Sequence, residues 1–422
     1  MSIKQYIGIL SLLLLTGGGL SAQELVPLTY RHYMERVTEG NLSYAAERLN
    51  LPIAEAELTA AKVFNDPNLS VSYSNNEEHR LQMGEGLEVE LSKTFTFGKR
   101  SAGIALARSE GALTRALLED YFRNLRAEAT LAYLEALKQN ELYKVKQNAY
   151  ENICTLAKSD SIRFRLGKIM EVDATQSRLE AGIIGNELLQ AETELRSAFV
   201  NLSLLTGSAT QDSLYQPLAT LRIPARPFVL ADLIASATTN RTDLVAALRN
   251  REVAARALTV ARRERNTDVD LSLAVAHNTR VHNEEAPAPP FTGVTAGIAI
   301  PLRFSNFNKG AVRAARYREQ QAETQYRPAL LQVEVEVMQA FRTYQSLSEQ
   351  VRRYEDGLLS KAREVLDGKT YSYNRGEVSL LEVLDAQRTY DGVQSQYIET
   401  LFSHSAALVE LEKSAGIWDL EL

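Results

Sequence analysis

The residues best suited to chemistry in this sequence are acidic pairs. Glu88 and Glu90 stand two positions apart, as do Asp268 and Asp270. That spacing puts both carboxylates of a pair on one face of an extended strand. Glu382 and Asp385 form a third pair at the start of a predicted helix, where the helix dipole favours acids. Paired carboxylates can exchange protons with a substrate, hold a divalent cation or line a water-filled path. None of these pairs lies in a recognisable catalytic arrangement, because the first two sit within strand patterns with no nucleophile or base placed beside them. The histidines add no metal-ligand spacing: His79, His277 and His282 fall in or beside predicted loops. His404 lies on a helical seam, where a lone histidine reads as packing. Cys154 is the only cysteine, so neither an intrachain disulfide nor a closed Cys-rich metal site can form. No phosphate-binding loop of the Walker type occurs. The sequence therefore reads as a non-enzyme with no catalytic, cofactor or metal residues.

The 422 residues carry 45% hydrophobic and 24% charged side chains with a net charge of −6. That balance excludes a disordered chain and gives no basic footprint for nucleic acid. At the N-terminus Lys4 precedes an apolar stretch from Ile7 to Leu15 and the small residues ending Leu20-Ser21-Ala22. Residues 1–22 read as a secretory signal peptide, since about ten apolar residues are too few to span a bilayer. No later apolar run is long enough for a membrane helix, but a strand barrel remains open because alternating strands leave little trace in bulk hydropathy.

The elements that position the acids occur twice. Gly167, Ala198, Leu202 and Gly207 align with Gly376, Ala407, Leu411 and Gly416, each 209 positions later, while Ala54, Leu58 and Ala61 align with Ala254, Leu258 and Ala261, each 200 later. Fixed-offset similarity marks a duplicated unit. The reading is a first repeat over 23–207, a connection over 208–229 and a second repeat over 230–422. Each repeat opens with a helical stretch, about 28–64 and about 230–265. Two strands follow, marked by strict alternation: Leu69, Val71 and Tyr73, then Leu87, Val89 and Leu91; in the second repeat Val269, Leu271, Leu273 and Val275, then Val294, Ala296, Ile298, Ile300 and Leu302. Such strands suit a half-buried sheet, and equally a wall with lipid on one side and water on the other.

After each strand pair comes a long unpunctuated stretch, and 98–159 reads as one helix of about 90 Å. Its returning partner carries a heptad seam in Leu188, Ala191, Leu195, Ala198, Leu202 and Leu205, the mark of a coiled coil. Pro328 is expected to bend or end the long helix of the second repeat. The Pro-containing connection from Gly207 to Pro227 reads as too polar for core.

This order of elements, with Phe97-Gly98-Lys99-Arg100, Ile300-Pro301-Leu302, Phe307-Asn308-Lys309-Gly310, Tyr373-Asn374-Arg375-Gly376 and Leu381-Glu382-Val383-Leu384-Asp385-Ala386, resembles the TolC-like outer membrane efflux proteins over essentially the whole mature chain. The resemblance implies a mixed α and β fold. Four strands per chain would make a twelve-stranded transmembrane β-barrel in a homotrimer, continued by a long coiled-coil α-helical barrel across the periplasm. It implies an outer-membrane exit duct of a tripartite efflux or type I secretion system, working with a periplasmic adaptor protein and an inner-membrane transporter. It also assigns residues. Glu382 and Asp385 take the places of an acidic ring at the periplasmic gate, and Tyr373 and Asp173 those of a linking pair. Arg165, Leu166, Gly167, Arg375 and Gly376 form adaptor-docking hairpin tips, and Glu88, Glu90, Asp268 and Asp270 would line the barrel lumen. Val378 stands where some relatives have a gate arginine, which points to a missing latch or to its replacement by Arg375. The Phe97-Gly98-Lys99-Arg100 turn is similar to those of heavy-metal efflux relatives, and drug, metal ion and peptide stay open as cargo. The reading that competes with the duct is a secreted coiled-coil scaffold without channel activity, which leaves the apolar strand faces unexplained.

Overall fold

The computed structural model describes residues 24–76, 78, 82–208, 213–302 and 307–420. The expected signal at 1–22 and His79 lie outside the described residues. The chain forms two compact units, each assembled from both repeats: one from the chain up to Ala46 with Tyr121–Arg241 and Val333–Leu422, the other from Glu47–Asp120 and Thr242–Gln332.

The second unit is built on a four-stranded antiparallel sheet. Its strands β2 (Asn68–Asn75), β3 (Glu85–Phe95), β5 (Val269–Asn278) and β6 (Phe291–Ala299) follow the order β2-β3-β5-β6. The two predicted strand pairs therefore join into one sheet, with β3 of the first repeat bonded to β5 of the second. The register sets Val89 beside both Val71 and Val275, and Leu273 beside both Leu91 and Ala296. Because directly paired residues point to the same side, the alternation of all four strands adds up to one apolar and one polar face.

The first unit is helical around a two-stranded parallel ribbon. Strand β1 (Glu24–Thr29) pairs with β4 (Ser213–Leu218). Neither was expected as a strand, since each is short and carries a proline, Pro27 or Pro217, that a two-stranded ribbon tolerates at its free edges. The connection between repeats is also not excluded from the core: Leu214, Tyr215, Leu221 and Ile223 are buried. Tyr133 holds the ribbon, donating its hydroxyl to the Leu28 carbonyl at 2.9 Å and accepting from the Leu218 amide at 3.0 Å.

The opening helical stretch of each repeat is divided. The first gives α1 (Tyr30–Gly40), α2 (Leu42–Arg48) and α3 (Asn50–Ala61), the second α6 (Leu230–Asn240) and α7 (Thr242–Arg263). The breaks at Asn41 and Arg241 are 200 positions apart, and each presses on a glycine that ends a later helix of its own repeat. A Cβ on Gly207 would lie 2.0 Å from the Gly40 carbonyl oxygen, and one on Gly416 3.2 Å from the Arg241 amide.

Between them run the long helices. They are α4 (Lys99–Arg165), α5 (Glu171–Leu205), α8 (Lys309–Arg353), α9 (Leu359–Asn374) and α10 (Leu380–Ala415). With 67 residues, α4 is about 100 Å long. Of the two outcomes expected at Pro328, an end or a bend, α8 does not end there. One missing backbone bond is outweighed there by the turns on either side. The break falls instead at the π-turn Tyr354–Leu358, where Gly357 takes φ 136°. The non-helical backbone of Gly357 puts a kink there, so α8 and α9 are two helices meeting at the turn. The α5 seam is buried as its spacing predicts, at Ala191, Leu195, Ala198 and Leu202. His404 is packing: it is buried, stacked on Tyr344 and bonded to Ser348 at 3.1 Å, and burial pulls its pKa down. Among the described residues no helix is long and apolar enough to cross a membrane.

Candidate functional site

Two sites stand out, one in each unit. In the second unit the apolar face of the sheet has no cover among the described residues. Leu69, Val71, Tyr73, Leu87, Val89, Leu91, Leu271, Leu273, Val275, Val294 and Ile298 all lie on it, with exposures from 39% at Val89 to 71% at Ile298. So large a contiguous apolar surface on a folded chain marks contact with lipid or another protein. The sheet is also open, since β2 and β6 each have one unpaired edge, and such edges invite further pairing.

The opposite face is polar and small. Glu88 and Glu90 lie on it opposite Ser72 and Ser70 of β2, Glu88 exposed and Glu90 partly so. The two aspartates are placed differently. Asp268 precedes β5 and pairs with the Lys99 ammonium at 2.6 Å, while the Asp270 carboxylate accepts from the Thr94 hydroxyl. Both are thus engaged at the end of the sheet near the start of α4, and only Glu88 and Glu90 extend along the polar face.

In the first unit the ends of the two helix hairpins carry the other predicted residues. Both turns have the same construction. The Lys168 amide bonds the Arg163 carbonyl and the Gly167 amide the Phe164 carbonyl; in the second hairpin Glu377 bonds Ser372 and Gly376 bonds Tyr373. Gly167 (φ 69°) and Gly376 (φ 77°) are both left-handed, as this C-cap requires. Arg165, Leu166 and Arg375 are exposed beside them. Arg375 bonds Glu377 at 2.8 Å and the Tyr371 hydroxyl at 3.0 Å. Val378 packs against an apolar cluster with Tyr373, Leu380, Val383 and Leu384, so it offers no charge to a latch.

Glu382 closes a capping box with Ser379 and also accepts from the Lys369 ammonium at 2.6 Å, which holds its carboxyl below the usual range. The box satisfies two backbone donors that the helix itself leaves unpaired. Asp385 is exposed one turn further along α10. Tyr373 does bond an aspartate, but within the chain it is Asp160 at 2.9 Å and not Asp173, which is partly exposed on α5. Asp160 is fully buried, and burial raises its pKa; burial and the neighbouring carboxylate push the Tyr373 phenol up to about 12. Arg163 completes the contact by bonding Asn374 and lying over the Tyr373 ring. Arg388 further clasps Glu180 through both carboxylate oxygens at 2.7–3.0 Å. Sequence reasoning missed Asp160, Arg163, Glu180 and Arg388. The available signal was helical spacing, which puts Asp160 one turn beyond Ala157 and two beyond Ile153 on the buried face of α4. Among the described residues no group of three or more His, Cys, Asp or Glu could hold a metal ion.

Comparison with known proteins bears on the fold that carries these sites. Residues 233–417 match the family model described as Outer membrane efflux protein. The cobalt-zinc-cadmium resistance protein CzcC of Cupriavidus metallidurans is 24% identical over 92% of this chain and 90% of its own length. The pyoverdine export outer membrane protein OpmQ of Pseudomonas putida is 23% identical over 90% and 84%. Among solved structures, CusC aligns with TM-score 0.76 at 17% identity over 94% of each chain. VceC of Vibrio cholerae aligns with TM-score 0.72 at 19% identity over 92% and 95%. The fold is that of these outer-membrane channels.

Proposed function

The chain belongs to the outer membrane efflux protein family and is an outer-membrane efflux channel; from that premise we propose that it is the passive exit duct of a tripartite system and works as a homotrimer. The observation that carries this is the uncovered apolar face on an open four-stranded sheet. Lipid tolerates no unpaired strand edge, so the sheet must close with other copies, and three chains give twelve strands, an even number suited to a barrel. In that barrel the apolar face meets lipid and Glu88 and Glu90 face water. The long helices pack against those of neighbouring chains as a tunnel through the periplasm, because a single antiparallel pair cannot bury all its seams.

The hairpin tips form the periplasmic gate. Threefold symmetry brings six carboxylates, Glu382 and Asp385 of each copy, around one axis, where they attract cations and repel one another. Contacts such as Tyr373 with Asp160 and Lys369 with Glu382 offset that repulsion in the resting state, while Asp173 is left to face a neighbouring chain. An adaptor protein docks on Arg165, Leu166, Gly167, Arg375 and Gly376, and an inner-membrane transporter supplies the energy. Divalent metal is the cargo best supported, by the likeness to CzcC over nine-tenths of both chains.

Single-channel conductance of the detergent-purified protein in a planar bilayer tests this reading. Discrete cation-selective openings are expected, with selectivity reduced by Glu382→Ala plus Asp385→Ala. Unchanged selectivity would remove the gate assignment, and a water-soluble protein with no openings would favour the scaffold.

A further inference from the structure

The end of the sheet where α4 and α8 begin carries more positive charge than its own folding accounts for. Four segments flank the strand ends and helix starts there: 62–66 after α3, 93–100 at the close of β3, 262–268 between α7 and β5, and 307–313 entering α8. They hold nine lysines and arginines against three acids, Asp66, Glu264 and Asp268, a balance of +6 in a chain whose total is −6. Lys62, Arg100, Arg262, Arg265, Lys309 and Arg313 are all exposed. Arg262 and Arg263 suit the C-terminal dipole of α7, but Lys99, Arg100 and Lys309 open α4 and α8, where cations are disfavoured. Neither of those helices has an acid in its first turn.

The same band is aromatic. Phe64, Phe95, Phe97 and Phe307 are exposed, and the Lys93 ammonium lies 4.9 Å from the centre of the Phe64 ring and 5.8 Å from that of Phe95. Phe95 and Lys93 end the apolar face, in register with Val269 and Leu271. The corner is built twice: Phe97-Gly98-Lys99 and Phe307-Asn308-Lys309 each place a phenylalanine before a left-handed residue (Gly98 φ 75°, Asn308 φ 54°) and a lysine that starts a long helix. Arg263 lies across the first corner, its Cδ 3.3 Å from where a Gly98 Cβ would be, and Asn266 donates to the Phe97 carbonyl at 2.7 Å. Both repeats thus set rings at the rim of an apolar band and cations just beyond it.

We propose that this collar binds the headgroups of anionic phospholipids in the membrane leaflet next to the helices. The inference rests on the reading that the apolar face lies in lipid. Aromatic rings favour the boundary between hydrocarbon and headgroups, and the cations beyond them meet the phosphates, so the collar fixes the depth of the barrel and selects the lipids around it. The positive charge that the helix starts do not want is matched by charge from the membrane.

The test uses the full-length protein reconstituted in phosphatidylcholine vesicles carrying a trace of spin-labelled phosphatidylglycerol or spin-labelled phosphatidylcholine. The motionally restricted fraction of each label gives their relative association. At low salt phosphatidylglycerol should be preferred about threefold or more, from the attraction of several exposed cations. High salt should weaken that preference. The Arg100→Gln, Arg262→Gln, Arg265→Gln variant should lose most of it while keeping wild-type conductance. Equal association of the two labels in the wild type, or undiminished preference in the variant, overturns the proposal while leaving the barrel intact. Absence of restricted lipid of either kind overturns the barrel reading itself, and the collar with it.

Discussion

Tyr373 and Asp160 stand 213 positions apart, yet the phenol donates to the carboxylate at 2.9 Å and so ties the rising helix of the second hairpin to that of the first. The bond lies in a poor place for a charge. Asp160 is fully buried, and its second carboxylate oxygen has no hydrogen-bond partner.

Burial therefore raises the pKa of Asp160 above its unfolded value, so the folded tips bind its proton more tightly than the unfolded chain does. The stability this contributes is complete below the ordinary carboxylate range and is lost as pH rises through the raised pKa. Hydrogen-exchange protection factors across the hairpin tips, which remove the intrinsic pH dependence of exchange, should accordingly fall as pH rises from the ordinary carboxylate range through the raised pKa of Asp160. Asp160→Asn keeps an acceptor for Tyr373 and should flatten that dependence. Tyr373→Phe leaves the buried carboxylate without its donor and should loosen the contact by about 1–3 kcal/mol near neutral pH. An identical pH profile in wild type and Asp160→Asn would rule this assignment out.

Lys369 makes a separate prediction about the proposed gate. Its ammonium sits 2.6 Å from Glu382 and cancels part of the charge the tip presents. Lys369→Ala should raise the preference for cations in single-channel recordings. Ser379→Ala breaks the capping box instead. That loss should cost the start of α10 about 1 kcal/mol and leave selectivity alone. Equal effects from the two substitutions would mean that Glu382 acts through helix stability and not through its charge.

The division between what could be read from the sequence and what could not follows the range of the interactions. The four barrel-type strands were legible because Leu69-Val71-Tyr73 and its counterparts alternate without interruption, and the long helices because heptads such as Leu188 to Leu205 repeat locally. The ribbon of β1 with β4 was not legible, because Pro27 and Pro217 are turn signals in isolation and only their pairing across the chain makes them strands. Pro328 does not end its helix, since the turns on either side carry the run past it. At the tips, Gly167, Gly376 and Glu382 could be placed from short motifs. The partner of Tyr373 could not, because Asp160 and Asp173 both lie near the first turn and only the packing of α4 against α9 decides which one the phenol reaches.

Two glycines that end helices with the same left-handed backbone should respond very differently to alanine. At Gly207, with φ 67°, a Cβ would collide with the Gly40 carbonyl oxygen at 2.0 Å. Gly207→Ala should therefore cost about 3–5 kcal/mol and lower the melting temperature sharply, from steric overlap added to backbone strain. At Gly376 nothing lies within 4 Å of the added atom. Gly376→Ala should cost only about 1–2 kcal/mol, all of it backbone strain. A bulkier Gly376→Trp adds little further cost to the chain alone but occupies the proposed adaptor surface. It should abolish efflux in cells while leaving the purified channel folded and conducting. Normal efflux with that substitution would move adaptor docking away from this tip.

Leu273 gives the sharpest test of where the sheet lives. It sits mid-strand between Leu91 and Ala296, 53% exposed on a face that nothing among the described residues covers. If that face met water, Leu273→Arg would be neutral or would improve solubility, since an exposed leucine gains nothing from its own chain. If it meets hydrocarbon, the arginine should cost about 2–4 kcal/mol in each copy near the bilayer centre. Three copies would multiply the penalty, and insertion into lipid vesicles should fail in a refolding assay read by gel mobility. Ser72→Arg, on the polar face beside Glu88, should insert normally because its side chain faces water in the same barrel. The two substitutions add the same charge to the same sheet, so opposite outcomes can come only from the side on which the lipid lies.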